Sequence, residues 1–208
     1  MKVLLINGSP NKNGCTVTAL SEVSKQLELE GISTELVQIG KDPVQGCTAC
    51  GACRNSPGKC AYGGDGVNEL ISRAGEFDGL IVGSPVYYSA PTGQLISFLN
   101  RMFFASGGAF AYKPATAVVS ARRAGTTATF EQLNQYFTLS NMPVVPSQYW
   151  NMVHGNTPDE VRQDLEGMQI MRTLGRNMAW LLKCVKLGAE SGLEHPASEK
   201  RVATNFIR

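Results

Sequence analysis

The sequence predicts a doubly wound α/β fold, in which a five-stranded parallel sheet in the order 2-1-3-4-5 carries helices on both faces. Short, continuous apolar runs such as residues 3–6 are typical of strands buried on both faces of a parallel sheet. Five such segments alternate with five segments of helical periodicity, which favours parallel strands joined by crossover helices. The 208 residues, 43% hydrophobic and 17% charged, suit a single domain over residues 1–208.

The strands are predicted from apolar runs that end in turn residues. They lie at residues 3–6, 32–39, 78–83, 115–119 and 143–153. The helices are predicted from apolar residues at helical spacing, and Asp65 is expected to cap the second of them. They are centred on residues 20–27, 65–75, 94–103, 130–137 and 158–185. Residues 46–64, rich in glycine and cysteine, are predicted to form a loop, and Cys184 is expected to be buried among apolar neighbours.

Composition argues against several classes of function. The net charge is only +2 and the basic residues are scattered, which argues against nucleic acid or a membrane surface as a partner. The first apolar run is too short for a signal peptide, and no stretch approaches the roughly 20 apolar residues of a membrane span. We therefore expect a cytoplasmic protein, in which six cysteines do not indicate a disulfide framework.

The loop after the first strand has the composition of an anion site. Residues 8–16 read Gly-Ser-Pro-Asn-Lys-Asn-Gly-Cys-Thr and lead directly into a helix. A helix N-terminus offers unpaired N–H groups and partial positive charge, and small loop residues let the backbone close round a phosphate. The candidate ligands are Ser9, Asn11, Asn13, Gly14, Cys15 and Thr16. At this helix end a Cys15 thiolate would be favoured, although a bound phosphate would oppose it. The alternative is a structural turn that binds nothing.

A second loop is expected to meet the first. In the 2-1-3-4-5 arrangement the order of the strands reverses between strands one and three, and ligands bind at the carboxyl ends of strands at that point. The loop after the third strand contains Pro85, Val86, Tyr87 and Tyr88, whose N–H groups and rings could cradle a planar molecule. An ordinary strand end with half-exposed tyrosines is the alternative.

Both loops resemble those of a known family. The pattern G-S-P-x-x-x-G-x-T at residues 8–16 resembles the FMN-phosphate loop of the flavodoxin-like NAD(P)H-dependent FMN reductases, many of which carry Asn or Ser where Cys15 stands. Residues 83–88, Gly-Ser-Pro-Val-Tyr-Tyr, are similar to the isoalloxazine loop of that family. The resemblance implies FMN as cofactor, NAD(P)H as co-substrate, and a flavin lined by Pro85, Val86, Tyr87 and Tyr88.

Three further residues follow strands four and five on the same edge of the sheet. Ser120 and Arg122 end strand four, and the arginine could stabilise negative charge on a reduced flavin or pair with a nicotinamide cofactor's phosphate. His154 ends strand five and could hydrogen-bond substrate or flavin and relay a proton. A solvated basic turn and a structural histidine are the alternatives.

The cysteines form the most specific pattern in the chain. Cys47, Cys50, Cys53 and Cys60 follow C-x-x-C-x-x-C-x6-C, and the first three have the spacing of a ferredoxin-type run. Residues 46–54 resemble the compact cluster motif of the iron–sulfur flavoproteins, which implies a [4Fe–4S] cluster on these four residues. Two alternatives stay open: a zinc site with four cysteine ligands, and an FMN-only relative that keeps similar cysteines.

Two functional hypotheses follow. The first is an FMN-dependent oxidoreductase that takes electrons from NAD(P)H and passes them to a quinone, a flavin or a similar acceptor, either a small molecule or a protein. The second is an electron carrier in which FMN and a cluster relay electrons between redox partners. We also expect a homodimer or homotetramer, because residues 103–110 are richer in apolar and aromatic residues than a solvated loop.

Overall fold

Strands β1, β3 and β4 occupy the centre of the sheet because their sequences are almost uninterrupted runs of buried residues. The computed structural model describes residues 1–197, 199–200, 202–204 and 206–207. Within these residues five parallel strands pair in the order β2-β1-β3-β4-β5, which confirms the predicted topology. The strands are β1 (Lys2–Asn7), β2 (Ser33–Gln38), β3 (Gly79–Pro85), β4 (Ala115–Ala121) and β5 (Met152–His154).

Helices cover both faces of this sheet, so that a separate apolar core lies on each side. The helices are α1 (Cys15–Leu29), α2 (Ala52–Asn55), α3 (Val67–Ser72), α4 (Gly93–Ala105), α5 (Thr126–Leu139), α6 (Pro158–Gln163) and α7 (Leu165–Glu190), with a 3-10 turn at Ala74–Glu76. One core packs α3 and α4 against the sheet and the other packs α1 and α7. None of the described helices is both long and apolar enough to cross a membrane.

The last strand is shorter than predicted. Val144 makes only an isolated bridge to Ala115, and regular pairing resumes at Met152. Between them, the buried Asn151 side chain donates to the Thr116 hydroxyl at 2.8 Å, and that hydroxyl donates to the carbonyl of Val145 at 2.9 Å. Side-chain hydrogen bonds therefore replace the ladder there, a substitution that the apolar pattern does not reveal.

The predicted long helix from Pro158 is broken at Asp164. That residue has ψ 82°, outside the helical range, and its carboxylate accepts the N–H of Gly167 at 2.9 Å as the cap of α7. A Cβ on Gly167 would lie 2.3 Å from this carboxylate, so the cap requires glycine there. The expected cap at Asp65 is also wrong, because Gly66, in a left-handed conformation, is the residue that precedes α3.

Two predictions of burial also change. Cys184 is exposed on α7, not buried, because it lies on the outer face of that helix. In the segment proposed as an oligomer surface, Phe110 is buried and its ring packs 5.7 Å from that of Phe103. Phe104, 61% exposed, is the aromatic residue of that segment that faces solvent.

Candidate functional site

The loop between β1 and α1 is braced by two side chains at the strand ends. The buried Asn7 accepts the N–H of Ser9 at 3.0 Å and donates to Gln38 at 2.6 Å. Gln38 in turn donates to the carbonyl of Ser9 at 2.6 Å. The loop is thus held in place by the protein itself. Sequence reasoning missed both residues; the available signal was a polar residue that ends an otherwise apolar strand.

Helix α1 begins at this loop with an uncapped N-terminus. Gly14 is the N-cap residue in an extended conformation, no side chain caps the helix, and the first turn contains no acidic residue. A Cβ on Gly14 would lie 3.0 Å from the Cβ of Asn11, so the loop passes closely over the helix end. The positive end of the helix dipole therefore faces the loop with no anionic side chain of the first turn to neutralise it.

Three buried hydroxyl groups lie at this helix end. The Ser9 hydroxyl accepts the N–H of Asn11 at 3.1 Å, and the Thr16 and Ser120 hydroxyls lie 2.8 Å apart. Cys15 donates weakly to the carbonyl of Gly155 at 3.6 Å. Burial raises the pKa of the Cys15 thiol, which disfavours a thiolate at this position.

A cavity of about 490 Å³ opens outside this loop. Its lining brings Asn11, Asn13, Gly14 and Cys15 together with two cations, Lys12 and Lys41. The start of α6 closes its other side. The candidate anion site therefore has an electropositive edge, and the side chains of Asn11 and Asn13 are exposed within reach of solvent.

The loop after β3 is shaped by a tight turn at Tyr87–Ala90. Tyr87 and Ala90 form an antiparallel bridge, and both central residues, Tyr88 and Ser89, have positive φ (50° and 59°). This is the conformation of a type I′ turn, which non-glycine residues adopt at a cost in strain. Tyr88 projects fully into solvent and Tyr87 is half-exposed, while Pro85 and Val86 are partly buried at the strand end.

The two loops are joined by direct hydrogen bonds. The N–H of Gly8 donates to the carbonyl of Gly83 at 2.8 Å, and the Thr92 hydroxyl donates to the carbonyl of Gly8 at 2.7 Å. Leu95 packs so closely that a Cβ on Gly8 would lie 2.6 Å from it. The meeting of these loops at the carboxyl ends of β1 and β3 follows from the sheet order, as predicted.

The remaining predicted residues follow β4 and β5 at the same edge. Ser120 is buried and contacts Thr16, whereas Arg122, just beyond β4, is exposed. His154 pairs in register with Ala121, and its side chain is exposed. Its backbone N–H donates to Asp164 at 2.7 Å, so the α7 cap also fixes this strand end.

The four clustered cysteines line a separate cavity of about 50 Å³, between residues 47–62 and the C-terminal end of α4. The prediction of a continuous loop over residues 46–64 is wrong in part, because the short helix α2 lies within it. They are Cys47, Cys50, Cys53 and Cys60, all free thiols. Cys60 is the most restrained, because its N–H donates to Asn68 at 2.7 Å and its carbonyl accepts from Asn68 at 3.0 Å. Cys47 and Cys50 are exposed.

Comparison with known proteins agrees with this geometry. Residues 1–157 match the NADPH-dependent FMN reductase family. The chain belongs to that family. An iron–sulfur flavoprotein of Methanocaldococcus jannaschii is 31% identical over 200 residues, covering 89% of this chain and all of that protein. An iron–sulfur flavoprotein of Methanosarcina thermophila is 28% identical, covering 89% of this chain and 97% of that protein.

Solved structures of low identity share the fold of this family member. The structure of RosB with bound 8-demethyl-8-formylriboflavin-5′-phosphate has a TM-score of 0.72 at 17% identity, and the match covers 100% of this chain and 94% of that one. The NAD(P)H:quinone oxidoreductase of Methanothermobacter marburgensis has a TM-score of 0.62 at 17% identity, covering 86% of this chain and 96% of that one. The flavodoxin-like fold is therefore confirmed.

The residues of this FMN reductase family member fit the cofactor that the family implies. The braced loop, the uncapped start of α1 and the two lysines supply donors and positive charge for a phosphate.

An iron–sulfur cluster is supported by the kind of side chain that is present, and not by the arrangement of those side chains. Four free thiols line one cavity, but among the described residues no three His, Cys, Asp or Glu side chains converge as metal ligands.

Proposed function

We propose that this protein is an NAD(P)H-dependent FMN oxidoreductase that delivers electrons to a quinone, a flavin or a similar acceptor. The observation that carries the proposal is the hydrogen-bonded junction of the loop at residues 8–16 with the segment at residues 83–92, at the carboxyl ends of β1 and β3. Membership of the NADPH-dependent FMN reductase family supports the same cofactor. Bound FMN would supply the redox chemistry, by accepting a hydride from the nicotinamide.

The first loop would hold the phosphate of FMN. Backbone N–H groups at the start of α1 and the hydroxyls of the loop would donate to it, since the α1 dipole favours an anion there. The residues proposed for this role are Ser9, Asn11, Asn13, Gly14, Cys15 and Thr16. Ser120 would act through Thr16, because the two hydroxyls are hydrogen-bonded. Cys15 would contribute its backbone N–H, since its thiol is engaged with Gly155.

The second loop would border the flavin ring. Pro85 and Val86 are partly buried at the end of β3, where they would contact one edge, and Tyr87 and Tyr88 would pack on a face. The strained turn holds these rings outward before any ligand binds, so they would exclude water from the ring without being reorganised.

Arg122 and His154 would serve the outer rim. Both side chains are exposed beyond the ends of adjacent strands, within the part of the sheet edge that a nicotinamide cofactor would approach. Arg122 would supply positive charge toward a reduced flavin or a cofactor phosphate, and His154 a hydrogen bond or a proton.

Anaerobic titration with NADPH and NADH tests the proposal. We expect the absorption of the flavin-loaded protein to bleach in proportion to added nicotinamide and to return when a quinone is added. The variant Lys186→Ala, on α7 far from the site, serves as a control and should behave like the wild type. A flavin that stays oxidised with both nicotinamides, yet is reduced by a ferredoxin-like donor, would contradict the oxidoreductase proposal.

That last result would favour a second candidate, an iron–sulfur flavoprotein that carries electrons between redox partners. It is supported by one observation of the structure, the four free cysteines that line a single cavity. The names of the two relatives reported above point the same way. The four thiolates would hold a [4Fe–4S] cluster, and a zinc site is the competing possibility.

A further inference from the structure

Arg101 is a fully buried cation at the C-terminal end of α4, and it faces the cysteine cavity. Its guanidinium donates from Nε to the sulfur of Cys60 at 3.2 Å. Its other nitrogens donate to the carbonyl of Gln45 at 3.1 Å, to the carbonyl of Tyr62 at 2.6 Å and to the carboxylate of Asp65. One side chain thus contacts both ends of the cysteine loop and one of its sulfur atoms.

Such an arrangement has a high cost unless every donor is satisfied. Removing a guanidinium from water costs several kcal/mol in a real protein, and the cost is offset only by good pairing. Asp65 supplies the counter-charge, the two carbonyls accept from the terminal nitrogens, and the Cys60 sulfur is the acceptor of the Nε–H. The guanidinium and the Cys60 sulfur therefore fix each other's position at the wall of the cysteine cavity.

The four cysteines are restrained very differently. Asn68 holds the backbone of Cys60 on one side, and Arg101 holds its sulfur on the other. Cys47 and Cys50, by contrast, are exposed on the outer part of the loop. The wide spacing between Cys53 and Cys60 in the sequence therefore does not exclude Cys60 from the four candidate sulfur ligands. Cys60 is fixed in the cavity wall, and the outer cysteines are the ones without such support.

We infer that Arg101 is a positioning residue that fixes Cys60 as the fourth sulfur ligand of the cysteine site. The inference rests on the second candidate function, in which these cysteines hold a metal cluster. Hydrogen bonds to ligating sulfur atoms orient the ligand and raise the reduction potential of an iron–sulfur centre, since they stabilise its more negative state. Lysine cannot replace this residue, because a single ammonium group cannot serve four acceptors in a planar fork.

The test uses FMN-loaded protein reconstituted anaerobically with ferrous iron and sulfide. The variants are Arg101→Lys, the charge-balanced pair Arg101→Met with Asp65→Asn, and the control Arg54→Lys, an exposed arginine that lines the same cavity. The measurements are the rate of iron loss to a chelator and the reduction potential of the iron centre, with bound FMN and circular dichroism as measures of folding.

Both Arg101 variants should lose iron about 10- to 100-fold faster than the wild type, the usual effect of removing an outer-shell partner. Their iron centre should also have a more negative reduction potential, whereas Arg54→Lys should match the wild type in both measurements. The shift in potential separates positioning of the sulfur from a general loosening of the loop, which would speed iron loss alone.

Three results would overturn the inference, and each is distinct. If Arg101→Lys loses iron at the wild-type rate and its iron centre has the wild-type reduction potential, Arg101 does not position Cys60, although the cluster itself would still be supported. Failure of both Arg101 variants to fold would assign the residue to stability alone. Wild-type protein that takes up neither iron and sulfide nor Co²⁺, but still binds FMN, would overturn the cluster and this inference together. That last result would leave the FMN oxidoreductase proposal standing.

Discussion

Replacing Ser9 and Thr16 together by alanine should weaken FMN binding by about 1–3 kcal/mol, or roughly 5- to 150-fold in Kd. Each hydroxyl has one partner within the protein, the N–H of Asn11 for Ser9 and the Ser120 hydroxyl for Thr16. A neutral hydrogen bond contributes about 0.5–1.5 kcal/mol, and a bond to a phosphate about twice as much. The expected total is below the sum of full phosphate bonds because each hydroxyl is shared between the protein and the ligand.

The assay is quenching of FMN fluorescence on titration of flavin-free protein. A matched control is Ser24→Ala with Thr34→Ala, which removes another pair of hydrogen-bonded hydroxyls, 2.6 Å apart, near the opposite end of the sheet. The control should bind FMN with wild-type affinity. Unchanged FMN affinity in the Ser9 and Thr16 variant, with its fold intact, would refute the assignment of this loop to the phosphate.

Three other predictions concern stability and assembly. Hydrogen bonds from Arg73 and Lys2 lower the pKa of Glu35 to about 2 from its usual 4.5. The carboxylate should therefore contribute about 1 kcal/mol of stability above pH 4.5 that is lost as pH falls toward 2, so the difference between the wild type and Glu35→Gln should shrink over that interval in urea melts. Gly125→Ala should destabilise the protein by about 1–3 kcal/mol and weaken FMN binding, because φ is +88° and a Cβ would lie 2.8 Å from Val86; equal melting temperatures would contradict this. Light scattering at micromolar concentration should give the mass of a dimer or tetramer, and a monomeric mass would reject the assembly.

The sheet order and the position of the candidate site were predictable because they depend on features that are local in the sequence. A continuous apolar run such as residues 3–6 marks a strand buried on both faces, and the alternation with helices implies parallel pairing. Once the order is fixed, the loops after β1 and β3 must meet, as the bond from Gly8 to Gly83 shows.

Features that depend on contacts between distant residues were not predictable in this way. In the sequence, Arg101 has the pattern of a solvent-exposed polar residue on an amphipathic helix. Its burial depends on hydrogen bonds with Gln45, Tyr62 and Asp65, which are distant in the sequence. The break at Asp164 likewise depends on its carboxylate bonding to Gly167 rather than on helix propensity, which is similar on both sides. Periodicity reports which face of an element is buried, and it carries no information about such pairings.

Identification of the flavin that copurifies with the protein is the most direct test that the loop between β1 and α1 binds the phosphate of FMN. The flavin would be released by heat, separated by chromatography and compared with the protein concentration. We expect FMN in an equimolar amount, because the uncapped start of α1 and its braced loop match a terminal monophosphate. FAD in its place, or a folded protein that neither carries FMN nor quenches the fluorescence of added FMN, would show that this loop is not an FMN-phosphate site.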